Sequence, residues 1–122
     1  MGCSLQYDLV ISDMDGTLLR DDKTISDRTK AAIKRFEAAG GRFSFATGRG
    51  VQSARRYFRD LDLRTPLVLL NGSLLYDPAG DRDLVVHPLD PGAVAAVCPL
   101  LEAAGLHIIV HGTRRAAVRE MN

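Results

Sequence analysis

The 122-residue sequence predicts an α/β fold built on a parallel sheet. Three observations carry that prediction. Apolar, strand-like runs at 9–11, 42–47 and 66–70 alternate with two segments of helical periodicity. The connections between them are short, which favours right-handed β-α-β crossovers. Beyond Gly72 the pattern changes to a hairpin, a helix and a further strand.

The first strand, Leu9, Val10 and Ile11, reads as buried on both faces and runs directly into Asp13 and Asp15. Side chains at i and i+2 of a strand point the same way, so extension through Met14 would project both carboxylates together. They would leave the strand's C-terminal end, where open α/β sheets bind ligands. Close carboxylates favour a cation, and a hard divalent ion such as Mg²⁺ suits oxygen donors. Gly16 lets the chain turn away in a conformation that other residues resist. An acidic strand-to-turn junction is the plainer alternative.

Residues 20–24 are a polar connection, and Ser26 is a good N-cap for a helix reaching about Ala39 and stopped by Gly40 and Gly41. Ile25, Thr29, Ala32, Phe36 and Ala39 make its apolar stripe, with Ile33 beside it. The second strand, 42–47, ends in Thr47, Gly48 and Arg49. A hydroxyl donates without adding charge, glycine admits close backbone approach, and arginine pairs bidentately with phosphate. The alternative is a strand-to-helix turn with Arg49 solvated. Residues 50–60 form a second helix with Val51, Ala54, Tyr57, Phe58 and Leu61 on one face. Arg55, Arg56 and Arg59 are expected to be a solvated cationic face. The third strand ends at Asn71-Gly72, by itself a turn signal.

Leu74, Leu75 and Tyr76, the turn at 77–80, and residues 83–87 predict an antiparallel hairpin. Asp90-Pro91 starts a helix whose stripe is Val94, Val97, Cys98, Leu101 and Ala104, with Pro99 inside it and Gly105 at its end. Residues 106–111 read as a strand, and 112–122 as a short helix or frayed tail. His107 and His111 would stand about 13 Å apart on that strand, too far to share an ion. Those two and His87 are expected to be structural or surface residues, and Cys98 a core residue.

Hydrophobic content of 46% and charged content of 25% are ordinary for a globular protein, and the net charge of +1 gives no reason to expect nucleic acid or a membrane surface. Cys3 and Cys98 make no disulfide framework, so a reducing, cytoplasmic setting is expected. No apolar run approaches the roughly 20 residues of a membrane span, and no secretory signal is seen. Met1-Gly2-Cys3 hints at acylation, but Gln6 stands where myristoylation wants Ser or Thr. There is no internal repeat, low-complexity stretch, Walker-type loop or nucleic-acid signature.

Asp13-Met14-Asp15-Gly16-Thr17-Leu18-Leu19 resembles the first motif (DxDGT) of the haloacid dehalogenase-like phosphatases, in their Cof-type branch with a mobile α/β cap. Ala46-Thr47-Gly48-Arg49 resembles the second motif, and Asn71-Gly72 a pair that follows the third strand near the site. The resemblance implies a three-layer Rossmann-like core, partial here and spanning 1–73. A hairpin and hinge at 74–90 and an incomplete cap at 91–122 would follow. It implies Asp13 as the nucleophile and Asp15 as acid and then base. Thr47, Gly48, Arg49 and Asn71 would hold substrate, and Mg²⁺ would sit at Asp13 and Asp15. A small phosphorylated metabolite would be the substrate.

Two further motifs of that plan, a lysine and a Gly-Asp-x-x-x-Asp-type acidic stretch, are not found after Gly72. A truncated, weak or inactive enzyme is therefore expected, with Leu9 to Ile11 as an open edge needing a homodimer, a swapped segment or a partner chain, unless these residues are a fragment of a longer product. The alternative is a non-catalytic homologue serving as a binding or assembly module.

Overall fold

The computed structural model describes residues 4–114 and 116–118. Its main sheet has five strands in the order β1 (Leu9–Asp13), β2 (Arg42–Ala46), β3 (Leu67–Leu69), β4 (Leu74–Asp77) and β5 (Arg82–Val86). The first three are parallel; β4 and β5 return as the expected antiparallel hairpin, with an irregularity between Leu75 and Tyr76. The crossovers are α1 (Asp27–Ala38) and α2 (Val51–Asp60). After them come α3 (Pro91–Ala103) and a two-stranded antiparallel sheet of β6 (Ile109–His111) and β7 (Ala116–Val118). This is the α/β, Rossmann-like class read from the sequence.

Local chemistry accounts for the boundaries. The Ser26 hydroxyl caps α1 by accepting from Thr29 N–H at 3.1 Å. Asp90 does the same for α3 through Ala93 N–H at 3.0 Å, with Pro91 in the first turn. One hydrophobic core joins Phe43 and Phe45 of β2, Leu67 and Leu69 of β3, and Leu74 and Tyr76 of β4 to Ile33, Val51, Ala54, Tyr57 and Phe58 of the helices. Both crossovers step the same way across the sheet, so right-handedness sets α1 and α2 on one face.

Several expectations need correction. Leu9 and Ile11 are 48% and 51% exposed rather than buried on both faces, because among the described residues β1 pairs only with β2 and forms the sheet's edge. Along α1 the expected stripe holds at Ile25, Thr29, Ile33 and Phe36, which are buried or half-buried, but Ala32 and Ala39 are exposed. No residue of α3 is buried, and Cys98 is half-buried rather than core. The last strand begins at Ile109, not 106, and Ala116–Val118 pairs with it instead of forming a helix or a frayed end. Cys3, with the acylation hint at residues 1–3, and the tail at 119–122 lie outside the described residues.

Candidate active site

β1 stops at Asp13, so the extended path through Met14 does not form. The chain instead winds a wide turn over Met14–Leu18, closed by Leu19 N–H donating to the Met14 carbonyl at 2.9 Å. Fully buried Met14 anchors the turn, and Gly16 takes φ +80°, the left-handed region that glycine enters without penalty. Asp13 is exposed, and one of its carboxylate oxygens accepts from Met14 N–H at 2.8 Å.

Asp15 lies on this turn and meets two cations. Arg49 grips it bidentately, Nε to Oδ2 at 2.9 Å and Nη2 to Oδ1 at 2.8 Å, and Lys23 Nζ reaches Oδ1 at 3.1 Å. The Arg49 hydrogen bonds, followed by that from Lys23, hold the Asp15 carboxyl far below the usual carboxylate range. Arg49 is itself positioned from three sides. Its Nη1 donates to Ser53 Oγ at 2.8 Å, its guanidinium stands 5.3 Å from the Tyr57 ring centroid, and its backbone N–H donates to Thr47 Oγ1 at 3.1 Å.

Thr47 is buried at 6% exposure and fixed in the sheet's upper rim. Its N–H donates to the Val68 carbonyl at 2.9 Å, and its carbonyl accepts from Asn71 N–H at 3.1 Å. Gly48 has a steric reason: a Cβ there would stand 3.0 Å from Asn71 Oδ1. Leu70, Asn71 and Gly72 take φ of +51°, +55° and +93° in succession, the first an unusual place for a leucine. Such strain survives only where surroundings hold it, and here Leu70 N–H donates to the Arg49 carbonyl at 3.0 Å. Thr47, Gly48, Arg49 and Asn71 therefore form one braced loop, and Asp15 is tied to it through Arg49. Register brings Asp13 alongside, since it pairs with Ala46, the residue before Thr47.

Sequence reasoning missed Lys23, Ser53 and Tyr57. Periodicity marks Tyr57 only as part of the apolar stripe of α2, yet its hydroxyl donates to the Lys23 carbonyl at 2.8 Å and ties the loop after the turn to the helix. Lys23 sits at φ +64° in a polar loop, where no periodic signal exists to find it.

Among the described residues no group of three or more His, Cys, Asp or Glu side chains is arranged to hold a metal. Asp13 and Asp15 remain as the donor set. Two carboxylates suit an ion such as Mg²⁺ that keeps several waters and takes further ligands from substrate phosphate. Both Asp15 oxygens are engaged by cations, which leaves the Asp13 carboxylate as the more open donor. At the start of α2 the N-cap is Gly50, with no side-chain cap, so the helix's first N–H groups lack a side-chain acceptor beside this loop.

No helix among the described residues is long and apolar enough to cross a membrane. Residues 10–122 match the family model of haloacid dehalogenase-like hydrolases. The 5-amino-6-(5-phospho-D-ribitylamino)uracil phosphatase YitU of Bacillus subtilis is 41% identical over 105 residues, which cover 84% of this chain and 38% of that protein. The pyridoxal phosphate phosphatase YbhA of Escherichia coli is 33% identical over 104 residues, 85% of this chain and 37% of that protein. A crystal structure of a haloacid dehalogenase-like hydrolase from Bacteroides thetaiotaomicron superposes with a TM-score of 0.82 at 20% identity, covering 94% of this chain and 44% of that one. The chain thus spans less than half the length of these relatives.

Proposed function

The chain belongs to the haloacid dehalogenase-like hydrolase family, and we propose that it carries the nucleophile half of a phosphomonoester hydrolase site. The observation that supports this best is the single network running from Asp15 through Arg49 to Thr47, with Asp13 set beside it by strand register. In this reading an Asp13 oxygen attacks phosphorus and the bond from phosphorus to the ester oxygen breaks. Asp15 delivers a proton to the departing alkoxide. Water then attacks the aspartyl-phosphate, Asp15 takes its proton, and the Asp13–phosphorus bond breaks to release phosphate. Thr47 Oγ1, the Gly48 backbone and Arg49 orient the phosphoryl oxygens, and Asn71 supports the loop. Mg²⁺ held at Asp13 and the Asp15 backbone carbonyl would offset charge on the phosphoryl oxygens.

Arg49 has two tasks in this scheme. With no phosphate bound it clamps Asp15 as an anion. A substrate dianion competes for the guanidinium and leaves Asp15 with Lys23 alone, so the proton affinity of Asp15 rises toward that of an acid catalyst. Residues 1–73 serve as the part of the core bearing this chemistry, 74–90 as the path out of it, and 91–122 as the start of a substrate-selecting cap. α3, in which no residue is more than partly buried, fits an element that finishes its packing elsewhere. The substrate is a small phosphorylated metabolite, as the names of the two relatives describe for them, and a reducing cytoplasmic setting fits the two cysteines.

A second reading, a binding or assembly module, is favoured by the half-exposed apolar edge at β1. Hydrolysis of p-nitrophenyl phosphate with and without Mg²⁺ separates the two. The enzyme reading expects weak, Mg²⁺-stimulated turnover that Asp13→Asn abolishes. Weakness is expected because each missing preorganised group costs about 10²–10³ in rate, and neither the lysine nor the acidic motif occurs in these 122 residues. Turnover indifferent to Asp13 would leave only the module.

A further inference from the structure

Arg56 and Arg59 of α2 are exposed, as the expected cationic face requires, and Arg55 is half-buried, but the three do not share one environment. Arg56 turns away and stacks its guanidinium 4.8 Å from the Tyr57 ring centroid. Arg55 and Arg59, one turn apart, instead line a separate cavity of about 250 Å³ together with Arg64. The cavity lies at the opposite end of the sheet from Asp13. Its other wall is the β4–β5 turn, and β4 runs antiparallel to β3, so that turn sits at the N-terminal end of the parallel strands.

We propose that this cavity is a second binding site, for the phosphate group of a small phosphate monoester. Its cationic groups are underemployed. Arg55 Nε is buried with no hydrogen-bond partner, a state that buried donors rarely keep unless a ligand or water completes them. The side chains of Arg59 and Arg64 make no hydrogen bond or close ion pair within the described residues, and Arg59 acts on the Asp81 carboxylate only through its charge. Two carboxylates also line the cavity, those of Asp62 and Asp81. The Asp81 carboxylate is already taken: it accepts from the Tyr76 hydroxyl and stands 4.0 Å from Arg55 and 3.9 Å from Arg114. Three guanidiniums against two carboxylates still leave a balance of one positive charge, and guanidinium geometry matches phosphate oxygens bidentately. Phe58 contributes an apolar wall for a small organic body. The volume falls just below the range that holds drug-sized molecules, which suits a metabolite of a few carbons.

The test is an NMR titration of the ¹⁵N-labelled chain with ribose 5-phosphate, with inorganic phosphate and ribose as parallel probes, run on the Asp13→Asn variant so that hydrolysis is blocked. The Arg55 Nε–H signal and the backbone amides of Leu63, Arg64 and Ala79 should shift with ribose 5-phosphate, and with inorganic phosphate at higher concentration. The double variant Arg59→Gln/Arg64→Gln should weaken that response at least tenfold. Arg64→Gln alone gives the same reading, in smaller degree, should the double variant lose its folded spectrum. Shifts confined to residues around Thr47 would overturn the second site while leaving the catalytic reading intact. An equal response to ribose without phosphate, or a response untouched by the arginine substitutions, would also overturn it.

Discussion

Asp15 concentrates the chemistry of the candidate site in one ion cluster. Its folded-state pKa is depressed by Arg49 and Lys23, so any stability it contributes is present above the unfolded carboxyl value near 3.9 and is lost as pH falls toward the folded one. The carboxylate is 41% exposed, so solvent screening limits the effect to the surface range of about 0.2–1 kcal/mol. The sharper readout is the titration itself. Replacing Arg49 by Gln should move the Asp15 carboxyl midpoint upward in a ¹³C-detected NMR titration; an unmoved midpoint would mean the clamp is absent in solution. Tyr76 offers a test at the other end of the pH scale. Burial, with the hydrogen bond to Asp81 added, pushes its phenol up to about 12. A raised phenol stabilises the fold fully below its unfolded value near 10, and that contribution fades as pH rises through 12. Tyrosinate absorbance should therefore show a component with a midpoint near 12 that Tyr76→Phe removes.

At the scale of elements, what was legible in the sequence depended on how far each signal was local. Caps and turn residues act through neighbours in the chain, so Ser26, Asp90 and Gly16 marked their boundaries correctly. The α2 stripe was also legible, because Val51, Ala54, Tyr57 and Phe58 are large enough to fix the buried face. In α1 the alanines carried little orienting signal, and packing against the sheet buries Ile33, which the sequence set beside the stripe, and leaves Ala32 and Ala39 exposed. Ile33→Ala should accordingly cost about 2–5 kcal/mol in denaturant unfolding, whereas Ala39→Ser should change stability by less than about 0.5 kcal/mol. Equal effects would mean that Ala39 is packed as closely as Ile33. The second-motif loop could be placed from sequence, but its bracing could not. Gly48 against Asn71 and Leu70 against Arg49 are contacts between residues over twenty positions apart.

For the whole molecule, the exposed edge is the dominant physical fact. Leu9, Val10 and Ile11 are 48%, 37% and 51% exposed on a strand with one unpaired side, an arrangement that invites pairing with another chain. Self-association is therefore expected in sedimentation velocity at micromolar concentration, and Ile11→Lys should reduce it. A monomer at all concentrations would remove the case for an assembly role. The sequence foretold this edge only through the family resemblance, since an apolar run reads alike whether a neighbour covers it or not. The central claim concerns Asp13 and is tested most directly by trapping its covalent intermediate. The chain would be incubated with Mg²⁺ and acetyl phosphate, quenched in acid, and its peptides mapped by mass spectrometry. The account predicts a single phosphoryl group on Asp13, absent from the Asp13→Asn variant; a phosphoryl group on any other residue, or none under conditions where turnover is measured, would contradict it.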